Sequence, residues 1–318
     1  MSLDFSNTSI LVIGDFMLDS FVMGSSNRIS PEAPVPVVLE KEKSMVLGGA
    51  GNVVNNLSSL GCSKGQSHLF PCGVLGDDNA GKTILKKLSE ISSISGMIID
   101  PNHISTIKER IFIDKEQVLR LDKEIKIDTN KYTEAIEKYC SSVIQNTDII
   151  IISDYNKGIV TDTMVKLLIN QARDNSIKVI IDPKKLDFSN YKNAHIITPN
   201  LGELERAAKI KIKDDGQLES VCKALIKKHN FEFILATKSE KGMSLIGKDS
   251  ACHIDPIHVE NPDVSGAGDT VVATLASCLA LGFDVNESAK IANIAASIVV
   301  AKPGTATIFL NELNLALR

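Results

Sequence analysis

An α/β fold, with a central mostly parallel sheet flanked by helices and a small β-sheet lid beside it, is what the 318-residue chain predicts. Three observations carry the prediction. Short apolar runs alternate with longer amphipathic stretches from one end to the other, which is the pattern of repeated βα units. The apolar runs are dense in Ile and Val, as strands buried on both faces are. Two segments break the rhythm and read as strands of a second, smaller sheet.

In chain order, SILVIG (9–14) is the first candidate strand. Residues 20–47 follow, carrying SPEAPVPVV, which is too rich in proline for a helix, and they are expected to hold lid strands. LFPCGVLG reads as a strand and TILKKLSEI as a helix. Residues 105–121, STIKERIFIDKEQVLRL, form a hairpin with DKEQ at its turn, the other half of the lid. Buried strands are then expected at DIIIIS (148–153), KVIID (178–182), HIIT (195–198) and FILAT (233–237). The helices between them include TDTMVKLLINQARDN (161–175) and QLESVCKALIKKHN (217–230), apolar on one face and charged on the other.

Composition narrows the function. The chain is 43% hydrophobic and 23% charged, an ordinary globular balance. A formal charge of −4 supplies no basic field to hold nucleic acid or anionic lipid, so small molecules are the expected partners. The six cysteines are scattered without zinc-type spacing, as reduced thiols of a cytoplasmic protein would be. Cys252, His253 and His258 come nearest to a metal cluster but lack a fourth ligand. No apolar run is long enough to span a membrane, and the start of the chain lacks a signal-peptide pattern. The length admits two domains or one large one, and a single domain over 1–318 is expected.

Two stretches compete for a phosphate group. GDDNAGKT (76–83) satisfies the G-x-x-x-x-G-K-[ST] pattern of a P-loop. Such a loop turns backbone N–H groups toward polyanionic phosphate, and Asp77 and Asp78 would put two carboxylates inside that cradle. Repulsion costs on the order of 4 kcal/mol per close pair of unit charges at an effective dielectric near 20. Asp78 or Asn79 capping a helix accounts for the same residues without phosphate. The rival is the turn Ser265-Gly266-Ala267-Gly268, which runs straight into a long apolar helix. Unblocked N–H groups and the positive helix end converge there on an anion. Asp269, in the first helical turn, is placed to take a proton from an attacking hydroxyl. On the residues alone, a capping Asp with closely packed glycines remains an alternative.

Taken together, GDFMLD (14–19), LGGAGNVVNNLSSLG (47–61), LGDDNAGK (75–82), ITPNLGELE (197–205), ATKSEKG (236–242) and DVSGAGDT (263–270) resemble the ribokinase-like (PfkB) sugar kinases in order and spacing. The resemblance implies a ribokinase-like fold and ATP-dependent phosphorylation of a sugar hydroxyl, with the phosphates at 266–269 rather than 76–83. NRISPEAPVPVV (27–38) and SDYNKG (153–158) resemble the kinases of D-glycero-β-D-manno-heptose 7-phosphate, which make the 1,7-bisphosphate on the route to ADP-heptose for lipopolysaccharide cores. Many of those carry an adenylyltransferase domain with an H-x-G-H signature. This sequence has no such motif, so it resembles a stand-alone kinase or the kinase half. Gly51 stands where that pattern has Ala.

Site roles follow from the resemblance. Asp269 would be the base, with Gly266, Ala267 and Gly268 forming the anion hole. Phosphoryl transfer needs alignment and charge neutralisation, hence Mg²⁺ as well as ATP, and Asn200 and Glu203, in an N-x-x-E motif, would hold its water shell. Leu201 and Gly202 between them, with Lys184, Thr237, Gly242 and Asn293, would contact the nucleotide. Asp19, Gly48, Gly49 and Asn52 would meet the sugar, and Asp15 is a weaker candidate there. Lys108, Arg110, Lys157 and Arg28 would bind its phosphate, the first two because alternate strand residues share a face. Asp263 and Ser265, with carbonyls of KPGTAT (302–307), match a site for a monovalent cation such as K⁺. The lid is expected to pair in a homodimer. The nearest rival reading is a kinase of another sugar or nucleoside on the same scaffold, followed by a P-loop NTPase and a non-catalytic sugar-binding protein.

Overall fold

The computed structural model describes residues 2–63, 68–125 and 129–318. The chain enters through β1 (Ser9–Gly14) and, after Asp15 alone, turns into β2 (Phe16–Ser25) and β3 (Leu39–Gly49), from which α1 (Ala50–Ser59) returns it. Next come β4 (His68–Gly76), α2 (Asn79–Ser89), β5 (Gly96–Asp100), the hairpin β6 (Thr106–Ile113) and β7 (Glu116–Lys123), and α3 (Thr133–Val143). The βα rhythm resumes with β8 (Ile149–Ser153), α4 (Asp162–Asp174), β9 (Lys178–Asp182), β10 (Ile196–Ile197), α5 (Leu201–Ala208) and α6 (Asp215–His229). β11 (Phe233–Thr237), β12 (Met243–Gly247), β13 (Ala251–Ile254), α7 (Ala267–Ala280), α8 (Val285–Val300) and α9 (Leu310–Ala316) complete it.

Among the described residues the strands form a nine-stranded sheet, β13-β12-β11-β10-β9-β8-β1-β4-β5, and a four-stranded sheet, β3-β2-β6-β7. The large sheet is parallel from β11 to β5, and β12 and β13 run antiparallel. Its inner strands, such as Ile149–Ser153 with every residue buried, are almost wholly apolar because both faces are covered. Ile10 and Val12 of β1 pack into one core with α1 and α7, while Leu11 and Ile13 pack into a second with α3 and α4. No helix among the described residues is long and apolar enough to cross a membrane.

The small sheet is the expected lid, with one correction. The proline-rich residues 26–38 are not strand: they link β2 to β3 with a single isolated bridge, Ile29 to Pro36. Proline offers no N–H to a ladder, so the strand pairing there lapses. The β6–β7 turn falls at Asp114 and Lys115, both at positive φ (48° and 77°), as a tight hairpin of this twist requires. In the parallel β2–β6 pairing Asp19 lies opposite Lys108 and Phe21 opposite Arg110. These four residues therefore share one face of the lid.

Candidate active site

Chain order reverses between β1 and β8: the large sheet grows outward through β4 and β5 on one side and through β9, β10 and β11 on the other. Ligands of open α/β sheets bind beyond the carboxyl ends of the strands at such a point. A cleft of about 720 Å³ opens there, lined from successive strand ends by Tyr155, Asp182, Lys184, Asn200, Leu201, Gly202, Glu203, Thr237 and Gly242. The turn Gly266 to Asp269 and Asn293 of α8 line it too.

At one end of the cleft α7 begins. Gly266 caps it at φ 78°, and a β-carbon there would stand 2.7 Å from the Asn52 amide nitrogen, so both conformation and space call for glycine. Gly268 differs, since a β-carbon on it would meet nothing within 4 Å and the backbone lies open. Ala267 donates its N–H to the Val264 carbonyl at 3.3 Å, so this member of the expected anion hole is engaged within the turn. Asp269 is 5% exposed. Asn52 Nδ2 donates to its Oδ2 (2.7 Å) and the Tyr155 hydroxyl to its Oδ1 (2.9 Å). Burial pushes the Asp269 carboxyl up to about 6, the Asn52 and Tyr155 hydrogen bonds working against it. A buried carboxylate that ionises near neutrality at a helix start suits a general base.

Lys184 follows β9 and reaches Glu203 Oε1 at 2.5 Å. The other Glu203 oxygen accepts the Asn200 N–H (2.8 Å), and Asn200 Oδ1 accepts the Glu203 N–H (2.9 Å), a capping box that starts α5. Asp182, ending β9, is pushed by burial up to about 8, Lys184 opposing the shift. Thr237 ends β11 and Gly242 turns into β12 at φ 75°. Asn293 donates to the Asp255 carbonyl at 3.0 Å.

The lid adjoins the cleft where Tyr155 lines it. Arg110 Nη1 donates to Asp19 Oδ1 at 2.7 Å, in a pair with little exposure on either side chain. Gly48 leaves room for Asp19, whose carboxylate a β-carbon there would strike, and Gly49 (φ 57°) lets the chain pass within reach of the Asp15 carbonyl. Lys108 lies 5.2 Å from the centre of the Tyr155 ring. Lys157 pairs with Glu124 at 2.5 Å. Asn52 is fully buried with its amide on Asp269, which places it behind the base. Arg28 is exposed on the β2–β3 connection and is not a partner of the Asp19–Arg110 pair.

Three other stretches singled out in the sequence are placed as follows. Asp263 accepts N–H groups from Ser265 (3.0 Å) and Gly304 (2.7 Å), so the suggested cation residues and the 302–307 segment do meet. Asp78 caps α2 by accepting from Gly81 N (2.8 Å) and also accepts from Ser105 N (3.0 Å), while Lys82 pairs with Asp77 at the surface. GDDNAGKT is thus a helix start whose carboxylate is already spent on backbone. Among the described residues no group of three His, Cys, Asp or Glu side chains is placed to hold a metal directly.

Three residues escaped the sequence reading. Tyr155 sits within SDYNKG just beyond β8, Asp182 ends β9, and Asn56 accepts from the Thr270 hydroxyl (3.1 Å), joining α1 to α7. Polar residues immediately after buried strands were the available signal for the first two.

A family model described as pfkB family carbohydrate kinase matches residues 7–312. Among curated proteins, the Bifunctional protein HldE of Aliarcobacter butzleri is 42% identical over 310 residues, covering 96% of this chain and 63% of its own length. Those of Campylobacter concisus (43%; 96% and 63%) and Mesorhizobium japonicum (40%; 98% and 62%) are similar. The chain therefore spans just under two thirds of the length of these relatives. Among solved structures, Arabidopsis thaliana ribokinase complexed with ribose and ATP superposes with a TM-score of 0.75 at 17% identity, over 98% of both chains. Escherichia coli phosphofructokinase-2 in complex with potassium gives 0.76 at 16%, over 98% of this chain and 99% of that one. The fold is that of the ribokinases.

Proposed function

The chain belongs to the pfkB family of carbohydrate kinases, and we propose that it transfers the γ-phosphoryl group of ATP to the anomeric hydroxyl of D-glycero-β-D-manno-heptose 7-phosphate. The observation that carries this reading is Asp269, a buried carboxylate at the glycine-lined start of α7, between the cleft of Lys184 and Glu203 and the lid of Asp19 and Arg110.

Asp269 takes the anomeric proton as that oxygen bonds to the γ-phosphorus. The bond from phosphorus to the β,γ-bridging oxygen breaks, and ADP leaves with the electron pair. The Gly268 backbone and the positive end of α7 hold the charge on the migrating group. Lys184 adds a cation on the nucleotide side.

The residues fit a magnesium ion held through water. Both Glu203 oxygens already accept one hydrogen bond each, leaving lone pairs for water, and a hard ion that keeps its waters suits that donor set. Asn200 and Glu203 would hold it, and it would neutralise charge on the ATP phosphates. Asp263, Ser265 and the 302–307 carbonyls would take K⁺ beside the anion hole.

The 7-phosphate would meet Lys108 and Arg110 on the lid and Lys157 beyond β8, and the 1,7-bisphosphate would serve ADP-heptose synthesis in the cytoplasm. The outer lid face exposes Met45 (39%), Leu119 (54%) and Leu121 (57%), which supports pairing of two lids in a homodimer. The test is one ADP-release assay presenting ribose, fructose 6-phosphate, adenosine and the heptose phosphate side by side. A highest kcat/KM for any of the first three would reassign the substrate.

A further inference from the structure

We propose that Tyr155 is a positioning residue for the base: its hydroxyl fixes one oxygen of Asp269, and its ring, beneath a lid cation, ties that carboxylate to the seated lid. The inference rests on the reading of Asp269 given above.

The loop that carries Tyr155 is held from below. Asp15, the residue between the two sheets, accepts the N–H groups of Tyr155 (2.9 Å), Lys157 (3.0 Å) and Ile159 (3.2 Å). Asp154 accepts from Asn156 N (2.7 Å) and from the Tyr191 hydroxyl (2.7 Å), and Asn156 takes the left-handed conformation at φ 57°. With the backbone fixed on both sides of it, the phenol takes the rotamer that brings its hydroxyl to a carboxylate oxygen.

That carboxylate is Asp269. Tyr155 and Asn52 each donate to a different carboxylate oxygen, so together they fix the plane of the group. An ionised carboxylate has about four acceptor positions, which leaves two for an incoming hydroxyl. Burial and the Asp269 charge keep the phenol protonated and therefore a donor.

The ring makes the second connection. Lys108 of β6 lies 5.2 Å from its centre and Lys184, from the nucleotide side, 5.6 Å. Cations at that range are attracted to the ring, and by drawing on it they strengthen the hydroxyl as a donor. A lid that lifts Lys108 away weakens the clamp on the base, so the base is best held when the lid is seated. The other charges around Asp269 are Asp19 of β2, Asp182 at the end of β9 and Lys184 after it, with Glu203 of α5 on Lys184. None of them depends on the Tyr155 hydroxyl.

The test compares Tyr155→Phe, which keeps the ring and loses the hydroxyl, with the natural enzyme. Protein labelled with ¹³C at Asp carboxyl carbons gives the Asp269 titration without any substrate, its signal identified by its absence in Asp269→Asn. Loss of a hydrogen bond to a charged group raises the midpoint by about one pH unit. The acid limb of kcat/KM moves up with it, kcat at pH 7 falls about twofold through the smaller ionised fraction, and KM for ATP stays within about twofold. Lys108→Met shifts the midpoint the same way in the natural background and adds nothing in the Tyr155→Phe background, as coupled residues do. An unmoved midpoint and limb in Tyr155→Phe overturn the proposal, even where the melting temperature drops. Additive shifts overturn the link to the lid. Full turnover by Asp269→Asn would instead overturn the assignment of the base, whatever Tyr155 does.

Discussion

The cleft and the lid beside it hold their charges differently. The cleft hangs from strands buried on both faces, and its ionisable groups are buried with them: Asp269 is 5% exposed, Glu203 3% and Asp182 7%. The lid is a four-stranded sheet with one strand, β7, exposed along its whole length, and its charges work as pairs such as Arg110 with Asp19 and Lys43 with Glu109. Burial in the cleft shifts protonation and fixes geometry, which is what bond making needs. Pairing in the lid sets cations beside carboxylates, an arrangement suited to binding an anionic substrate. Mutations in the two regions should therefore fail in different kinetic terms.

The largest effect belongs to the cleft. Asp269→Asn lowers kcat by about a thousandfold, within the range of general-base catalysis, while affinity for a non-hydrolysable ATP analogue changes little. Acting as the proposed base, Asp269 must be ionised, so with its carboxyl raised to about 6 the kcat/KM profile falls as pH drops through that value. A profile flat down to pH 4.5 would break the contrast between cleft and lid.

Next comes the glycine turn, where two similar substitutions should separate. Gly266→Ala forces a side chain into positive φ against Asn52, costing about 1–3 kcal/mol of stability and displacing the base's own partner, with a loss in kcat of about a hundredfold. Gly268→Ala meets open space within a helix, so it stabilises the fold by about 0.4–1 kcal/mol and raises KM for ATP. Thermal melting beside steady-state kinetics on both variants checks this. Equal losses in the two would mean that the turn serves packing alone.

At the lid the expected signature is in binding. Arg110→Met removes the partner of Asp19 and raises KM for the sugar phosphate about tenfold or more, with kcat and KM for ATP within a few-fold. A drop confined to kcat would move Arg110 from recognition into chemistry.

How far the sequence disclosed all this follows the same division. Strands such as Ile149–Ser153 and Phe233–Thr237 were legible because burial on both faces leaves only apolar residues, and the turn before α7 because small residues crowd where a helix start must stay open. The proline-rich lid segment misled in extent, since a strand-like composition without N–H donors makes a connection rather than a ladder. Tyr155 and Asp182 were legible only as polar residues at the ends of buried strands, without their roles. Their meaning comes from β1, β8 and β9 lying side by side and from α7, more than 80 residues later in the chain, closing over them, and local pattern does not encode adjacency of that kind.

Burial also leaves a smaller trace in stability. Asp182 titrates near 8 in the folded chain, above its unfolded value, so the folded state binds more protons between pH 4 and 8. Its contribution to stability is therefore largest in acid and declines as pH rises through that window. Against Asp182→Asn, the natural protein should lose several degrees of melting temperature between pH 5 and 8. A constant difference across that range would show that Asp182 is not held protonated by its surroundings.

The smallest effect is expected at the motif that most looks like a phosphate site. Lys82 lies on α2 with 65% of its side chain exposed, paired to a similarly exposed Asp77, and such surface pairs are worth about 0–1 kcal/mol. Asp78, whose backbone a true P-loop would turn toward phosphate, instead spends its carboxylate on Gly81 and Ser105. Lys82→Ala should therefore leave stability within about 0.5 kcal/mol and KM for ATP unchanged. The same exchange in a working P-loop removes the cation on the β- and γ-phosphates and with it nucleotide binding. Loss of ATP binding in this one variant would relocate the phosphates to residues 76–83 and undo the division between the cleft and the lid.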